Sequence, residues 1–123
     1  MAVYITPKEN LSYRVVKLVS TDAAANVNVT EGATTVYSIL VDNTSNTTVS
    51  TCFYDGTYTS TSAVGTTDPT MIVTVPATTS RTVSIPEGLS FSTAINMWTK
   101  QEAGTAGTTA PAATVNVYLT TGV

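Results

Sequence analysis

Val36-Tyr37-Ser38-Ile39-Leu40-Val41-Asp42-Asn43-Thr44 is the densest apolar run of the chain, and it ends in turn-forming residues. β-Branched and aromatic residues fit the pleated surface of a strand, and an Asp-Asn pair is typical of a turn. A second apolar segment, Thr48-Val49-Ser50-Thr51-Cys52-Phe53-Tyr54, follows after a short polar gap. The two segments together predict a β-hairpin in the middle of a sheet.

The composition favours an all-β protein. Charged residues make up 11% of the 123 residues, against the usual value of about 25%. The hydrophobic fraction is 42%, and 27 threonines and 11 serines replace the missing charges. Threonine is β-branched and suits strands and extended loops. A chain of this length is expected to form one domain with one core.

The rest of the chain reads as short strands between turn signals. Proline at position 7 cannot donate to a sheet ladder, so the segment before it is expected to be a free arm or an edge strand, and residues 1–10 are assigned as an extended N-terminal arm. We predict a single antiparallel β-sandwich over residues 11–123, either jelly-roll or immunoglobulin-like, with about seven to nine strands. Besides the two segments above, the predicted strands cover residues 11–19, 26–30, 71–75, 81–85, 95–99 and 114–120.

Alternating apolar positions define the expected core. The first of these strands, residues 11–19, is apolar on both faces, as in a strand that is covered on two sides or lies at a subunit contact. The predicted core residues are Val16, Leu18, Val36, Ile39, Val41, Phe53, Ile72, Val83, Ile85, Phe91, Ile95, Met97, Val115 and Val117.

Two loops of the chain echo each other. Gly65-Thr66-Thr67-Asp68-Pro69 is matched by Gly107-Thr108-Thr109-Ala110-Pro111, and valines follow both at the same offset. Two copies do not make a repeat protein. The echo predicts that the strands after these loops start at the same end of the domain.

The residue types argue against catalysis. The chain has no histidine, its carboxylates lie singly in turns, and no phosphate-binding glycine loop is present. We therefore assign no catalytic residue, no cofactor and no metal, and expect a non-enzymatic protein. Cys52, in a predicted strand, is expected to be a buried, inert thiol.

Charge and hydropathy also limit the expected partners. The net charge is −3, and five basic residues are too few for a nucleic-acid groove. No apolar stretch reaches the length of about 20 residues that a membrane-spanning helix needs. One alternative stays open: Trp98 and the tyrosines, Tyr58 in particular, could form a platform for sugars.

Four segments, in order, resemble a group of small, threonine-rich proteins of tailed bacteriophages. The resemblance covers residues 36–123 and implies a structural role in the virion, with capsid decoration (cement) favoured. The segments are Tyr37-Ser38-Ile39-Leu40-Val41-Asp42-Asn43-Thr44, Val64-Gly65-Thr66-Thr67-Asp68-Pro69, Ile85-Pro86-Glu87-Gly88-Leu89-Ser90-Phe91-Ser92-Thr93-Ala94 and Ala103-Gly104-Thr105-Ala106-Gly107-Thr108-Thr109-Ala110-Pro111.

The resemblance implies a partner and a location. The expected partner is the major capsid protein on the capsid exterior, bound by a homo-oligomer that is made in the host cytoplasm, with a trimer favoured. The arm and the first strand, which hold three of the five basic residues, are the expected contact, although a solvated edge would explain those charges too. A tail, baseplate or fibre component and a carbohydrate-binding module are the alternatives. The expected capsid-contact residues are Tyr4, Ile5, Lys8, Arg14 and Lys17.

Overall fold

A computed structural model describes residues 13–57 and 64–122 of the chain, and these residues form seven strands. All pairings between neighbouring strands are antiparallel. One sheet has four strands in the order β1-β7-β2-β5, and the other has three in the order β4-β3-β6. The predicted antiparallel β-sandwich is confirmed. The strands are β1 (Tyr13–Leu18), β2 (Thr34–Asn43), β3 (Val49–Asp55), β4 (Met71–Val75), β5 (Thr79–Phe91), β6 (Ile95–Lys100) and β7 (Val115–Gly122).

The last strand lies between the first and the second. In the immunoglobulin arrangement the last strand belongs to the opposite sheet, whereas here β7 pairs with both β1 and β2. This central position makes every second residue of β7 part of the core. Val115, Val117 and Leu119 are fully buried.

The core lies between the two sheets. It contains every predicted residue except one, and it also contains Val49, Val73, Val75 and Leu119, which were not predicted. Val16, Leu18, Val83 and Ile85 are partly buried and pack against the core from the outer strands of the four-stranded sheet. Ile72 was predicted to face the core, but it packs against Cys52 and Trp98 on the other side of the three-stranded sheet, so that prediction was wrong.

The predicted central hairpin is also wrong. β2 and β3 follow each other in sequence but belong to different sheets. The amide of Asn43, which is 1% exposed, joins the sheets at this corner. Its Nδ2 donates to the carbonyl oxygens of Val75 at 3.3 Å and Pro76 at 3.0 Å, and its Oδ1 accepts from Ser45 Oγ at 2.6 Å. Two apolar runs separated by a polar gap fit a hairpin and a crossing between sheets equally well.

β5 is longer than the sequence predicted. The predicted strand covered residues 81–85, but β5 extends for 13 residues, past Pro86 to Phe91. Leu89 lies opposite Val36 while Ser84 lies opposite Ser38, so β5 bulges between these pairs. A proline is tolerated because β5 is an edge strand and the bulge removes the need for its hydrogen bond.

The alternating segment 26–30 is not a strand. Only an isolated bridge joins Asn26 to Met97 of β6, and Asn28 has a left-handed backbone with φ 52°. Its Oδ1 accepts a hydrogen bond from the Gly32 N–H at 2.7 Å, which closes a local turn. Asparagine adopts this conformation more easily than most residues, so the pattern predicted the wrong element.

The two echoed loops touch each other, but the strands after them begin at opposite ends. Gly65 packs closely against Gly107, because a Cβ atom added at Gly65 would lie 3.2 Å from the Gly107 carbonyl oxygen. β7 begins at Val115, opposite Asn43, and Asn43 contacts the carbonyl of Val75 at the end of β4. The start of β7 therefore lies near the end of β4, so the prediction of a common starting end was wrong.

Candidate functional site: the outer face beside the first strand

The candidate site is the outer face of the four-stranded sheet at β1 and β7. Side chains alternate across a strand, so Tyr13, Val15 and Lys17 point away from the core. Tyr13 is 52% exposed and Val15 is 67% exposed. Thr120 lies opposite Val15, and Tyr118 lies opposite Lys17. These five residues are called the β1 face below.

Aromatic contacts order this face. The Lys17 Nζ lies 5.5 Å from the centroid of the Tyr118 ring. The Tyr13 ring meets the Tyr37 ring edge-on, with the centroids 5.1 Å apart. Each contact restricts a long side chain before any partner binds, which lowers the entropy that binding must overcome.

Arg14, predicted as a contact residue, lies on the other side of β1. Its Nε donates to Thr121 Oγ1 at 3.3 Å, and its guanidinium also donates to the carbonyl oxygen of Thr30. Arg14 therefore ties the loop before β2 to the edge of the sheet. Of the predicted contact residues, Lys17 lies on the β1 face, and Tyr4, Ile5 and Lys8 lie outside the described residues.

Sequence reasoning missed Tyr118 and Thr120. The alternation within residues 13–19 already placed Tyr13, Val15 and Lys17 together. Nothing in that pattern indicates that the first strand pairs with the last one, and this pairing brings Tyr118 under Lys17.

The outer face of the three-stranded sheet is covered by the chain itself. Cys52, Trp98 and Lys100 are fully buried on it. Val64 packs on Cys52 and Trp98. Lys100 Nζ donates to the carbonyl oxygens of Glu102 at 2.7 Å and Ala106 at 2.8 Å, so the loop after β6 folds back over the sheet.

Burial settles the roles of two residues on this covered face. Burial raises the pKa of the Cys52 thiol to about 11, although Lys100 and Trp98 act in the opposite direction. The predicted burial of the thiol is confirmed, and the raised pKa disfavours the reactive thiolate form. The proposed sugar platform is wrong for Trp98, because a side chain with no exposed surface cannot stack on a sugar; Tyr58 lies outside the described residues.

Asp55 at the end of β3 organises the turn between β5 and β6. Its carboxylate accepts hydrogen bonds from Ser92 N and Oγ at 2.9 and 3.0 Å, and from Thr93 N at 2.9 Å. Desolvation acts to raise the pKa of this carboxyl, but these bonds and one from Ala94 outweigh it and hold the pKa below its usual value. The carboxylate therefore holds a turn.

A cleft of about 310 Å³ opens beside this turn. Asn96, which lines it, donates to the carbonyl oxygens of Tyr54 at 3.3 Å and Gly56 at 2.7 Å, and it accepts from the N–H of Asn28 at 3.0 Å. These polar groups are engaged within the protein. The cleft thus has few polar groups to orient a ligand.

Within residues 13–57 and 64–122, no three side chains of His, Cys, Asp or Glu gather where they could hold a metal ion. The same residues form no helix long and apolar enough to cross a membrane.

Comparison with known proteins gives no assignment. No family model matches the chain, and no curated protein matches it. The function is therefore argued from the residues and their arrangement.

Proposed function

We propose that this chain is a non-enzymatic structural protein of a phage virion. In this proposal it is a capsid decoration protein, which binds the major capsid protein on the capsid exterior as a homo-oligomer and stabilises the lattice. The observation that carries the proposal is the contrast between the two outer faces. One is covered by the loops of the chain itself, and the other presents exposed, ordered apolar and cationic side chains.

The architecture suits a protein that presents a rigid binding surface to a partner. The two sheets share a continuous core, and neighbouring strands are joined by antiparallel ladders. A rigid body loses little conformational entropy on binding. On a repeated lattice, weak contacts of one oligomer are multiplied by effective concentration, so a small face is sufficient.

Lys17 gives the β1 face its charge. Its ammonium group extends over the Tyr118 ring at an exposed position, while the chain as a whole carries a net charge of −3. A cationic spot on an acidic protein favours one orientation towards an acidic patch of a partner. Binding through it should weaken as salt rises, since exposed charges are screened over about 8 Å at physiological ionic strength.

Co-sedimentation with purified capsids that lack the protein tests the proposal. We expect Thr120→Arg, in the β1 face, to reduce capsid binding at least tenfold, because it places a bulky charge in the contact. Thr82→Arg is the matched control: it lies on the same sheet face, on the distant edge strand β5, and should bind normally. Equal binding by both variants, with both folded by circular dichroism, would contradict a contact through the β1 face.

The N-terminal arm is tested separately. Removing residues 1–10 should abolish attachment to capsids and leave the circular dichroism spectrum of the sandwich unchanged. Full attachment of the truncated protein would show that the arm is not part of the contact.

A further inference from the structure

The edge of β1 can pair with another strand, and this possibility does not depend on the proposed function. The end strands of a sheet expose a row of backbone N–H and C=O groups, which can pair with another chain. The sandwich has four such strands: β1 and β5 in one sheet, and β4 and β6 in the other. They differ in how well each edge is protected.

The edge of β6 is covered. Met97 exchanges backbone hydrogen bonds with Asn26 in both directions, at 2.9 and 2.8 Å. The N–H of Thr99 donates to the carbonyl oxygen of Asp22 at 2.8 Å, and Ile95 accepts from Val29 at 2.9 Å. No additional strand can pair here without displacing this segment.

The edges of β4 and β5 are blunted in other ways. The guanidinium of Arg81 donates to the carbonyl oxygen of Thr74 in β4, and Pro76 directly follows that strand. β5 contains Pro86 and a bulge between Ser84 and Leu89. Prolines, bulges and charged side chains are the devices that protect sheet edges from pairing.

The backbone polar groups of β1 point towards β7 and towards the sheet edge at alternate residues. Along β7, Val115 O accepts from Thr21 N on the β1 side, whereas Thr114 O accepts from Thr44 N on the β2 side. Because these directions alternate along a strand, Val117, Leu119 and Thr121 direct their backbone polar groups towards β1.

The pairing of β1 with β7 shows which backbone N–H and C=O groups of β1 point towards the sheet edge. The β7 residues that point towards β1 lie opposite Leu18, Val16 and Arg14. The N–H and C=O groups of Tyr13, Val15 and Lys17 therefore point away from β7, towards the edge that no described strand occupies.

We propose that two copies of this chain pair antiparallel along β1, about a two-fold axis at Val15. In this register Val15 lies opposite Val15 of the second copy, and Tyr13 lies opposite Lys17 of the second copy. Each of these three pairs can exchange two backbone hydrogen bonds. The two four-stranded sheets join into one continuous sheet.

The side chains suit this register. A lysine on an edge strand opposes pairing when two copies bring like charges together. Here the two Lys17 side chains lie four residues apart along the strands, roughly 13 Å, and each faces a tyrosine ring of the other copy. Lys17 already contacts the Tyr118 ring in its own chain, so a second ring extends the same cation–π environment.

The β1 face remains available in such a pair. Tyr13, Val15 and Lys17 keep their side chains on the outer surface, and the two faces become neighbours. An edge contact this short buries little area, which is typical of weak and concentration-dependent association. On a lattice, the pairing would gain from avidity. The two-fold pair differs from the trimer implied by the resemblance.

Cysteine cross-linking of the full-length chain tests the register. Opposing residues of a hydrogen-bonded pair have Cα atoms about 5.5 Å apart, within the range that a disulfide spans. Val15→Cys should therefore form a disulfide-linked dimer under mild oxidation. Val19→Cys is the matched control: Val19 is 62% exposed, close to the 67% of Val15, but it lies four residues from the proposed axis.

The yield of covalent dimer on non-reducing gels decides the register. We expect at least tenfold more dimer for Val15→Cys than for Val19→Cys, without competition from the buried Cys52. An equal yield, or a lower yield for Val15→Cys, would overturn the proposal.

Sedimentation equilibrium of the unmodified chain tests the pairing itself. A concentration-dependent dimer is expected. Val15→Pro, which removes one edge N–H and leaves the ladder to β7 intact, should lower the association constant at least tenfold, whereas Val15→Thr should retain the dimer. A trimer, or a monomer up to millimolar concentration, would contradict pairing along β1.

Discussion

The outer faces of the two sheets differ in what covers them. The three-stranded sheet buries Cys52, Trp98 and Lys100 beneath loops of its own chain, whereas the four-stranded sheet leaves Tyr13 and Val15 more than half exposed. Both faces carry a lysine and aromatic side chains, so composition does not separate them. Long loops cover one face, whereas none of the loops within residues 13–57 and 64–122 buries Tyr13 or Val15 on the other.

The largest expected effect concerns Trp98 on the covered face. Trp98→Ala should lower the free energy of unfolding by about 3–5 kcal/mol, the usual cost of truncating a buried aromatic residue. Val15→Ala on the open face should change it by less than about 0.5 kcal/mol. Urea denaturation of both variants measures the difference. Similar values would show that the two faces are equally buried in solution.

The two lysines sharpen the same contrast. Lys100→Met should destabilise the fold by about 1–3 kcal/mol, because it leaves the carbonyl oxygens of Glu102 and Ala106 without their donor. Lys17→Met should be close to neutral for stability. Thermal unfolding measures the stability of both variants. A destabilisation by Lys17→Met as large as that by Lys100→Met would contradict the contrast between an exposed Lys17 and a buried Lys100.

A smaller difference is expected between two glycines of the loop that covers the three-stranded sheet. Gly107 has φ 96°, and an added Cβ would collide with the Glu102 side chain. Gly107→Ala should therefore cost about 1–3 kcal/mol from backbone strain, plus a contribution from displacing Glu102. At Gly104, with φ 71° and open space around it, the strain acts alone. We expect Gly107→Ala to lower the melting temperature more than Gly104→Ala does. The reverse order would contradict the close packing of Gly107 against the Glu102 side chain.

The smallest effect is on the acid stability of the turn that Asp55 holds. The pKa of Asp55 is lowered in the folded state, so its contribution is present above the pKa of the unfolded chain, about 3.9. It is lost as the pH falls through the lower folded value. Asp55→Asn should therefore remove stability at pH 7 and flatten the pH dependence below about pH 4. Urea unfolding across this pH range, with Glu31→Gln as a control, measures how the free energy of unfolding depends on pH. If Asp55→Asn left that dependence unchanged, the hydrogen bonds of the Asp55 carboxylate would not stabilise the turn.

Particular residues show what the sequence could and could not predict. The apolar run at residues 36–44 and the alternating segment 114–120 predicted two strands, and both lie in the middle of one sheet with one face buried. The same patterns could not say that β2 and β3 belong to different sheets. That is set by the hydrogen bonds of Asn43 to Val75 and Pro76, which connect residues far apart in sequence.

The candidate site was predictable only in part. Tyr13, Val15 and Lys17 share a face by simple spacing. Their exposure depends on which loops lie over that face, and their contact with Tyr118 depends on the pairing of the first strand with the last. Trp98 shows the opposite failure, since an aromatic residue in a strand is equally compatible with a sugar platform and with burial under a loop.

The central claim, that this chain decorates a capsid through its open face, is tested most directly by counting its copies in purified virions. Quantitative mass spectrometry would give the ratio of this protein to the major capsid protein. We predict a copy number of the same order as that of the major capsid protein, as a protein that covers the lattice requires. A handful of copies per particle, as in a tail or baseplate, or absence from the particle, would contradict the claim.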